Sequence, residues 1–449
     1  MKRERAFLSS PRQRAILGLL LAAGLTACGD DPVPSPAAPG LLFDADNAYP
    51  ADHPRAAGQR AFLHDSWGTE VLGEWPPADF FVGLMESGPA MFRDQFVFFG
   101  FIADPGDDFP VGFKRGLADP THVKETCALC HVAELPDGRF WMGAPNTRLD
   151  FARFRLEVNA RWVAAGNPPL ITPLEEEKLG KIGPGRTSAE SPEYPDLVPV
   201  DFPPYFNLGK RAYLNYLGTG HNVRTEAYFS LYTFGAGAPN KEEAIVPFPD
   251  EERVDEFIEF LGSLDAPAPP AQDPALVAAG EAVFAAAACD ACHHVAIDDL
   301  GLDVIIPYDK EQGGKDRIPG QDPAFPRGTI HTDALHRVIL EGDSGSGPDD
   351  GFLDLLNFIQ EHGLEPGWSD GYRTSSVRGL WASGPYLHNG SVPTLDALLR
   401  PAAERPTQWQ NGAFELDTTQ LGNSAQGHEF GAALSEPDRE ALIAYLLSL

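Results

Sequence analysis

The sequence has little positive charge. Its 449 residues include 34 lysines and arginines against 65 aspartates and glutamates, which gives a formal net charge of −31 at pH 7. A surface this acidic repels nucleic acid and anionic membrane surfaces as direct partners. The same charge favours the approach of a cationic redox partner, or simply keeps the protein soluble.

Cysteine is also scarce, and no disulfide framework is available. Four of the five cysteines fall in two copies of the pattern C-x-x-C-H, which are Cys127-Ala128-Leu129-Cys130-His131 and Cys289-Asp290-Ala291-Cys292-His293. Two thiols one helical turn apart can each add to a vinyl group of one haem, and the next histidine then faces the iron. A zinc site, a redox dithiol or a disulfide does not require that histidine. The pattern therefore predicts two covalently bound haem c groups.

The apolar run near the N-terminus, residues 15–25, is too short to span a bilayer. It follows a basic segment and ends in Leu25-Thr26-Ala27-Cys28, which predicts a signal peptide over residues 1–27. This ending resembles the lipobox of bacterial lipoproteins, in which the cysteine is lipidated. Lipidation accounts for the fifth cysteine, Cys28, and the alternative is an ordinary secretory signal with a chance cysteine. We expect a lipid-anchored protein on the periplasmic side of a bacterial membrane, most simply the outer membrane.

Proline-rich segments divide the remainder of the chain. Residues 28–50 are expected to form a tether, and residues 265–273 a stiff linker. We expect a first haem domain over 51–264 and a second over 274–449. Both are predicted to be mainly α-helical, cytochrome c-like domains with long loops and little β structure.

The two predicted domains end in similar sequences. At a constant offset, five residues of the first closing segment are identical in the second: Glu251, Ile258, Leu261, Ser263 and Leu264 match Glu436, Ile443, Leu446, Ser448 and Leu449. Each segment is predicted to be an amphipathic helix. The chain is therefore predicted to be a divergent tandem repeat of one haem-binding unit.

Local signals predict several elements. Asp273-Pro274 indicates the start of a helix in which Gly280 lets another helix cross closely, with Phe284 beside the crossing. In the first domain, Asp119-Pro120 similarly predicts a helix that leads to Cys127. The two remaining signals are a turn that predicts a hairpin, Leu135-Pro136-Asp137-Gly138, and a helical pattern over residues 149–165.

Methionine, which raises the potential of a haem as its sixth ligand, is absent from the second domain, since the four methionines are Met1, Met85, Met91 and Met142. The second iron therefore has histidine, a weaker ligand or no ligand opposite His293. We favour His388 among the six other histidines of that domain, His294, His331, His336, His362, His388 and His428. His221 follows His131 at a similar distance, and an asparagine follows both His221 and His388. His221 is therefore a candidate ligand of the first iron, although a lone histidine is more often a core or surface residue.

Several segments carry a resemblance to a known family. They are Gly379-Leu380-Trp381-Ala382, the run from Pro385 to Leu395, Glu404-Arg405-Pro406, Gly427-His428-Glu429, Phe109-Pro110-Val111-Gly112-Phe113 and Val200-Asp201-Phe202-Pro203-Pro204. The chain resembles di-haem cytochromes related to the rubber oxygenases, within the wider bacterial cytochrome c peroxidase and MauG superfamily. The resemblance implies that the second haem, with His293 and His388, relays electrons. It also implies that the first haem, with His131, reacts with peroxide, oxygen or a small organic substrate.

The resemblance also implies roles for two further residues. Trp381 is expected on the electron path, with a core aromatic residue as the alternative. Glu226 is expected to act as the acid–base group near the first haem, and the alternative is a solvated surface carboxylate. If His221 binds the first iron, both haems are six-coordinate and the protein only transfers electrons. Acidic runs such as Asp298-Asp299 are read as solvated loops, so calcium is conceivable but not predicted.

Overall fold

The computed structural model of the protein describes residues 45–65, 75–117, 119–188, 199–212, 214, 222–231, 251–302, 305–307, 371–420 and 422–449. These residues belong to one compact unit. The signal segment, Cys28 and His221 lie outside the described residues. The predicted domain boundaries and fold class remain predictions.

Helices joined by long loops form most of the regular structure. In chain order they are α1 (Ala56–His64), α2 (Ala78–Ser87), α3 (Ala128–His131), α4 (Phe151–Ala164), α5 (Pro173–Leu179), α6 (Val223–Leu231), α7 (Glu251–Gly262), α8 (Pro274–Ala286), α9 (Leu395–Leu398) and α10 (Glu436–Leu447). Arg93–Phe96 has helical hydrogen bonding but left-handed backbone angles at Asp94 and Gln95, so it is an irregular turn. Within the ranges given above, no helix is both long and apolar enough to cross a membrane.

The described strands pair as five antiparallel two-stranded sheets. They are β1 (Phe113–Arg115) with β2 (Val123–Glu125), β3 (Val132–Glu134) with β4 (Phe140–Met142), β5 (Arg186–Ser188) with β6 (Pro199–Asp201), β7 (Ile305–Pro307) with β8 (Gly371–Arg373), and β9 (Gln408–Asn411) with β10 (Phe414–Asp417). Isolated two-stranded pairs this short are only marginally stable. Packing against helices and loops therefore holds them in place.

Helices α8 and α10 cross at very short range. A Cβ atom on Gly280 would collide with the carbonyl oxygen of Ala441, so only glycine allows this approach. Phe284 packs against Tyr445 beside the crossing, with ring centroids 5.5 Å apart. Asp273 begins α8 by accepting a hydrogen bond from the Ala275 N–H, with Pro274 in the first turn. The predicted start of this helix and its close crossing are both confirmed.

The same crossing occurs between α1 and α7 in the first half of the chain. A Cβ atom on Gly58 would collide with the carbonyl oxygen of Glu256. Phe62 packs against Phe260 with ring centroids 5.3 Å apart. Phe260 matches Tyr445 in the alignment of the closing segments, so the two halves use equivalent positions for the same contact.

A loop next to each closing helix repeats as well. Asn207 has a left-handed φ of 58°, donates its N–H to the Leu264 carbonyl (2.6 Å) and precedes a 3₁₀ turn at Leu208–Lys210. Gly379 has a φ of 74°, donates its N–H to the Leu449 carbonyl (3.3 Å) and precedes a 3₁₀ turn at Leu380–Ala382. Leu264 and Leu449 are matched ends of the closing segments.

The halves differ between the first helix and the C-x-x-C-H motif. Residues 63–126 separate Phe62 from Cys127, whereas residues 285–288 separate Phe284 from Cys289. The longer segment contributes to an aromatic core around Phe154, whose ring lies 4.8 Å from that of Phe101. This core also brings the backbone of Gly112 so close to Leu129, inside the first motif, that a Cβ atom would collide there.

Predictions for the first half had mixed outcomes. The hairpin is confirmed, because β3 pairs with β4 across that turn, and α4 confirms the helix predicted over 149–165. The helix predicted from Asp119-Pro120 is wrong. Asp119 instead accepts a hydrogen bond from the Thr121 N–H at 3.0 Å, which closes a turn, and the chain continues as β2.

Substitution of Gly280 by alanine tests the helix crossing. The added methyl group must push α8 away from α10, and overpacking of this kind costs about 1–3 kcal/mol. Gly83→Ala is the control, because this helical glycine has open space around it, and alanine there is expected to be neutral or slightly stabilising. Thermal unfolding that is equal for the two variants would contradict the described crossing.

Candidate haem sites

The second C-x-x-C-H motif directly follows α8. Cys289–Ala291 forms a 3₁₀ turn, and the His293 N–H donates to the Cys289 carbonyl at 2.9 Å. The cysteines and His293 are half-buried. The Nδ1 atom of His293 lies 2.8 Å from the carbonyl oxygen of Ser375. A hydrogen bond from Nδ1 to a backbone carbonyl leaves the lone pair on Nε2, which is the arrangement that metal-binding histidines adopt.

A cavity of about 230 Å³ opens beside this motif. Cys289, Cys292 and His293 form part of its wall. The apolar part of the wall includes Phe284, Leu380, Leu395, Leu399, Leu442 and Leu446. Apolar walls with a few polar groups are typical of cofactor sites. The two thiols, the oriented imidazole and this wall fit a covalently attached haem.

A second imidazole faces His293 across this region. His428 lines the same cavity, and its ring centroid lies 6.1 Å from that of His293, with 54° between the ring planes. A metal bound by two imidazoles on opposite sides, at about 2.0 Å from each nitrogen, separates the ring centroids by about 6 Å. Burial, together with the charges of His293 and Arg405, lowers the pKa of His428 to about 3. His428 is therefore neutral near pH 7, as a metal ligand must be.

His388 lines the same cavity and is buried. Its carbonyl accepts a hydrogen bond from the Asp201 N–H at 2.8 Å. The next residue, Asn389, donates from its amide to the carbonyls of Gly422 and Ser424. The loops that carry His388 and His428 are thus hydrogen-bonded to one another. Both histidines remain candidates for the position opposite His293, and the ring spacing favours His428.

Sequence reasoning named His428 as one of six histidines but did not select it. The pairing of His221 with His388 rested on their similar distances from His131 and His293 and on the asparagine that follows each of them. The structure gives the two asparagines different roles, because the Asn222 side chain accepts a hydrogen bond from the Thr225 N–H at the start of α6. Asn389 instead joins two loops. The signal that pointed to His428 was the family-like segment Gly427-His428-Glu429.

Buried charged residues complete the wall of the second site. Arg211 and Arg373 are buried and line the cavity, and guanidinium groups suit the two propionates of a haem. Asp201 also lines the cavity, and burial raises the pKa of its carboxyl well above the usual value, against the opposing charge of Arg186. Arg186 lies opposite Asp201 in the β5–β6 pair and donates to Asn423 at 2.8 Å.

The first motif is more deeply buried. Burial raises the pKa of Cys127 to about 12. Burial also lowers the pKa of His131 to about 3, which a hydrogen bond with the Pro203 backbone partly offsets. The His131 ring stacks on Tyr205, with centroids 3.6 Å apart and 18° between planes. Sequence reasoning missed Tyr205, and no spacing signal pointed to it. The two half-buried thiols and the buried, neutral imidazole fit a second covalent haem.

Glu226 lies near this first motif on α6 and is buried. Its charge contributes to raising the pKa of the Tyr205 hydroxyl, after burial and the Cys127 thiol. The structure therefore brings Glu226 into the neighbourhood of Tyr205 and His131, rather than to the solvated surface. His221, the other candidate residue for this site, lies outside the described residues.

Trp381 lies between segments that belong to the two motifs. It packs in a cluster with Ala133, which follows His131 on β3, and with Phe206. Its Nε1 donates to the Pro267 carbonyl at 3.2 Å. The guanidinium of Arg139 lies 5.7 Å from the Trp381 ring and 5.4 Å from the Trp141 ring. Trp381 thus packs against the linker and the β3 region, and the preceding residue, Leu380, lines the cavity beside the second motif.

Part of the second site matches a known protein family. Residues 371–410 match a family described as "RoxA-like, cytochrome c-like". The matched segment carries Ser375, Trp381, His388 and Arg405. It ends before His428 and contains neither C-x-x-C-H motif.

Two relatives come from Sinorhizobium fredii (strain NBRC 101917 / NGR234). The uncharacterized protein y4iJ is 38% identical over 123 aligned positions, which cover 21% of this chain and 20% of that protein. The uncharacterized protein y4iM is 52% identical over 52 positions, 12% of each chain. The matches thus span about a fifth and an eighth of these relatives.

The family match supports a RoxA-related, cytochrome c-like domain in this chain. A domain of this kind implies that haem c is bound, and a haem-based redox function follows.

Proposed function

We propose that this protein is an exported di-haem c-type cytochrome with oxidoreductase activity. Its second site passes electrons, and its first site is where oxygen or peroxide reacts, with a small organic molecule as a further substrate class. When bound, haem supplies one-electron chemistry and, where a coordination position is open, oxygen or peroxide chemistry. The signal-like N-terminus and the lipobox-like context of Cys28 support a lipid anchor on the periplasmic side, most simply at the outer membrane.

The difference between the two motifs carries this proposal. His293 faces a second, half-buried imidazole, that of His428, at a spacing that suits a six-coordinate iron. His131 instead packs against the phenol of Tyr205, and the carboxyl group of Glu226 lies near. Two histidine ligands suit electron transfer, whereas an open site beside an acid–base group suits reaction with oxygen or peroxide.

Three repeated features support the proposal of tandem haem domains. Gly58 and Gly280 each allow a close crossing with a closing helix. Asn207 and Gly379 each begin a 3₁₀ turn and bond to the end of that helix. The backbone carbonyl that meets each proximal histidine, at Pro203 or Ser375, lies four residues before these positions.

The chain's own residues divide the work as follows. The two cysteines of each motif attach the haem, and His131 and His293 bind the irons. Glu226 holds the proton that reduction of oxygen or peroxide requires at the first site. Trp381 packs between the two motifs and is the candidate aromatic residue on the electron path. The acidic surface supports a basic redox partner in the periplasm.

Cysteine substitution tests the number of haems. Protein matured in a host that attaches haem c is expected to carry two covalent haems per chain by intact mass and pyridine haemochrome absorbance. Replacement of Cys289 and Cys292 by alanine is expected to leave only the haem of the first motif. Replacement of Cys127 and Cys130 by alanine is expected to leave only the haem of the second motif. A wild-type chain with one covalent haem would refute the di-haem proposal.

Ligand binding tests the division of labour. The reduced protein is expected to bind carbon monoxide at one of its two haems, and one haem is expected to give a high-spin EPR signal when oxidised. Glu226→Gln is expected to slow reaction with peroxide about 10²-fold or more while carbon monoxide still binds. Glu440→Gln on the exposed face of α10 is the control. If no high-spin haem and no carbon monoxide binding is found, the protein is an electron carrier with two six-coordinate haems.

Two histidine variants decide the ligand opposite His293. His428→Ala is expected to convert the second haem to a high-spin form and to create a second site for carbon monoxide. His388→Ala is expected to keep the low-spin spectrum, because the His388 ring lines the cavity without binding the iron if His428 is the ligand. The reverse result would establish His388 as the ligand that the sequence predicted.

A further inference from the structure

Arg405 makes an unusual set of hydrogen bonds beside the second site. Its side chain is buried, with 4% of the residue exposed. Nη1 donates to the carbonyls of Ala425 (2.6 Å) and Gly427 (2.7 Å). Nη2 donates to the carbonyls of His428 (3.0 Å), Leu398 (3.0 Å) and Arg400 (3.3 Å). One guanidinium thus joins the loop that carries His428 to the end of α9.

The contacts with Gly427 and His428 lie on either side of one Cα atom. The carbonyls of these two residues belong to the peptide groups before and after the Cα of His428, so the guanidinium fixes both. His428 has a left-handed φ of 48°, a conformation that costs about 1 kcal/mol or more for a residue other than glycine. Such a conformation persists only where the surroundings hold it, and Arg405 supplies hydrogen bonds that do so.

The same loop is held from its other side. Glu429, directly after His428, accepts a hydrogen bond from the Ala402 N–H at 2.9 Å. Ser391 and Asn389 donate to the Ser424 carbonyl. Arg405 remains the group that contacts the His428 backbone itself. A lysine carries three donors on one nitrogen and cannot reproduce a planar fork that serves five carbonyls.

We propose that Arg405 is the positioning residue for His428, holding its imidazole opposite His293 as the second axial ligand of the haem at the second motif. This inference rests on the proposed function, because it requires His428 to be that ligand. Arg405 touches neither the haem nor the iron in this role. It acts through the backbone of His428, and its buried positive charge beside the ligand favours the reduced state of the haem.

The test compares Arg405→Lys and Arg405→Met in the full-length, haem-loaded protein. Without the guanidinium of Arg405, the His428 imidazole is expected to dissociate from the iron more readily. We expect about a tenfold rise in the fraction of the second haem that is high-spin or binds carbon monoxide. Added imidazole is expected to restore the low-spin spectrum. Arg405→Met, which also loses the charge, is expected to lower the reduction potential of that haem more than Arg405→Lys.

Arg439→Lys is the matched control. Arg439 is a buried arginine of the same region, but its partners are the carboxylates of Asp396 and Glu436 rather than the His428 loop. This variant is expected to lose some thermal stability and to keep the spectrum of the wild type. A purely structural role for Arg405 would give the same pattern as this control.

The outcomes separate the two proposals. If both Arg405 variants keep the low-spin spectrum and do not bind additional carbon monoxide, the positioning role is refuted. If His428→Ala itself leaves the second haem low-spin, His428 is not the ligand, and that part of the proposed function fails with it. Should Arg405→Met not fold, Arg405→Lys decides the question, because it keeps the charge and most of the side-chain length.

Discussion

The close crossing of an opening and a closing helix is the contact on which each half of this structure depends. In the second half, α8 ends shortly before Cys289, and Leu449, two residues after the end of α10, accepts a hydrogen bond from the Gly379 N–H. The loop before Gly379 supplies the Ser375 carbonyl that orients His293. The contact of Gly280 with Ala441 therefore sets the distance between the motif and the group that directs its histidine. Gly58 and Glu256 make the corresponding contact in the first half.

The same scaffold produces two different environments. In the first half, residues 63–126 add an aromatic core whose Gly112 packs directly on the backbone of the motif. The first motif is consequently more deeply buried than the second, and the phenol ring of Tyr205 stacks on its histidine. The second motif has no such insertion and stays half-exposed beside an apolar cavity. Burial restricts a site to small reactants, while exposure suits exchange of electrons with a partner protein, and the proposed division of labour follows this difference.

Backbone hydrogen bonds, rather than side-chain pairs, direct the imidazoles at the second site. The Ser375 carbonyl meets Nδ1 of His293, and Arg405 donates to the carbonyls around His428. Backbone groups are held by the whole fold, so they orient a ligand more rigidly than a free side chain does. This arrangement also explains why the role that we propose for His428 was hard to predict from the sequence. Every residue has a backbone carbonyl, so the sequence does not show which carbonyl orients a ligand. The β9–β10 hairpin separates Arg405 from His428 in the sequence, so their contact could not be predicted either.

The sequence alone was sufficient for features that local chemistry specifies. The C-x-x-C-H spacing, the start of α8 at Asp273-Pro274 and the hairpin after β3 depend on neighbouring residues, and they could be predicted. The close helix crossing at Gly280 could also be predicted from the sequence, because only glycine has no Cβ atom. Only the tertiary structure decided which residues meet across long separations: Gly58 with the backbone of Glu256, Tyr205 with His131, and His428 with His293. Those contacts depend on how loops of irregular shape pack, and no periodicity or spacing in a single sequence records that packing.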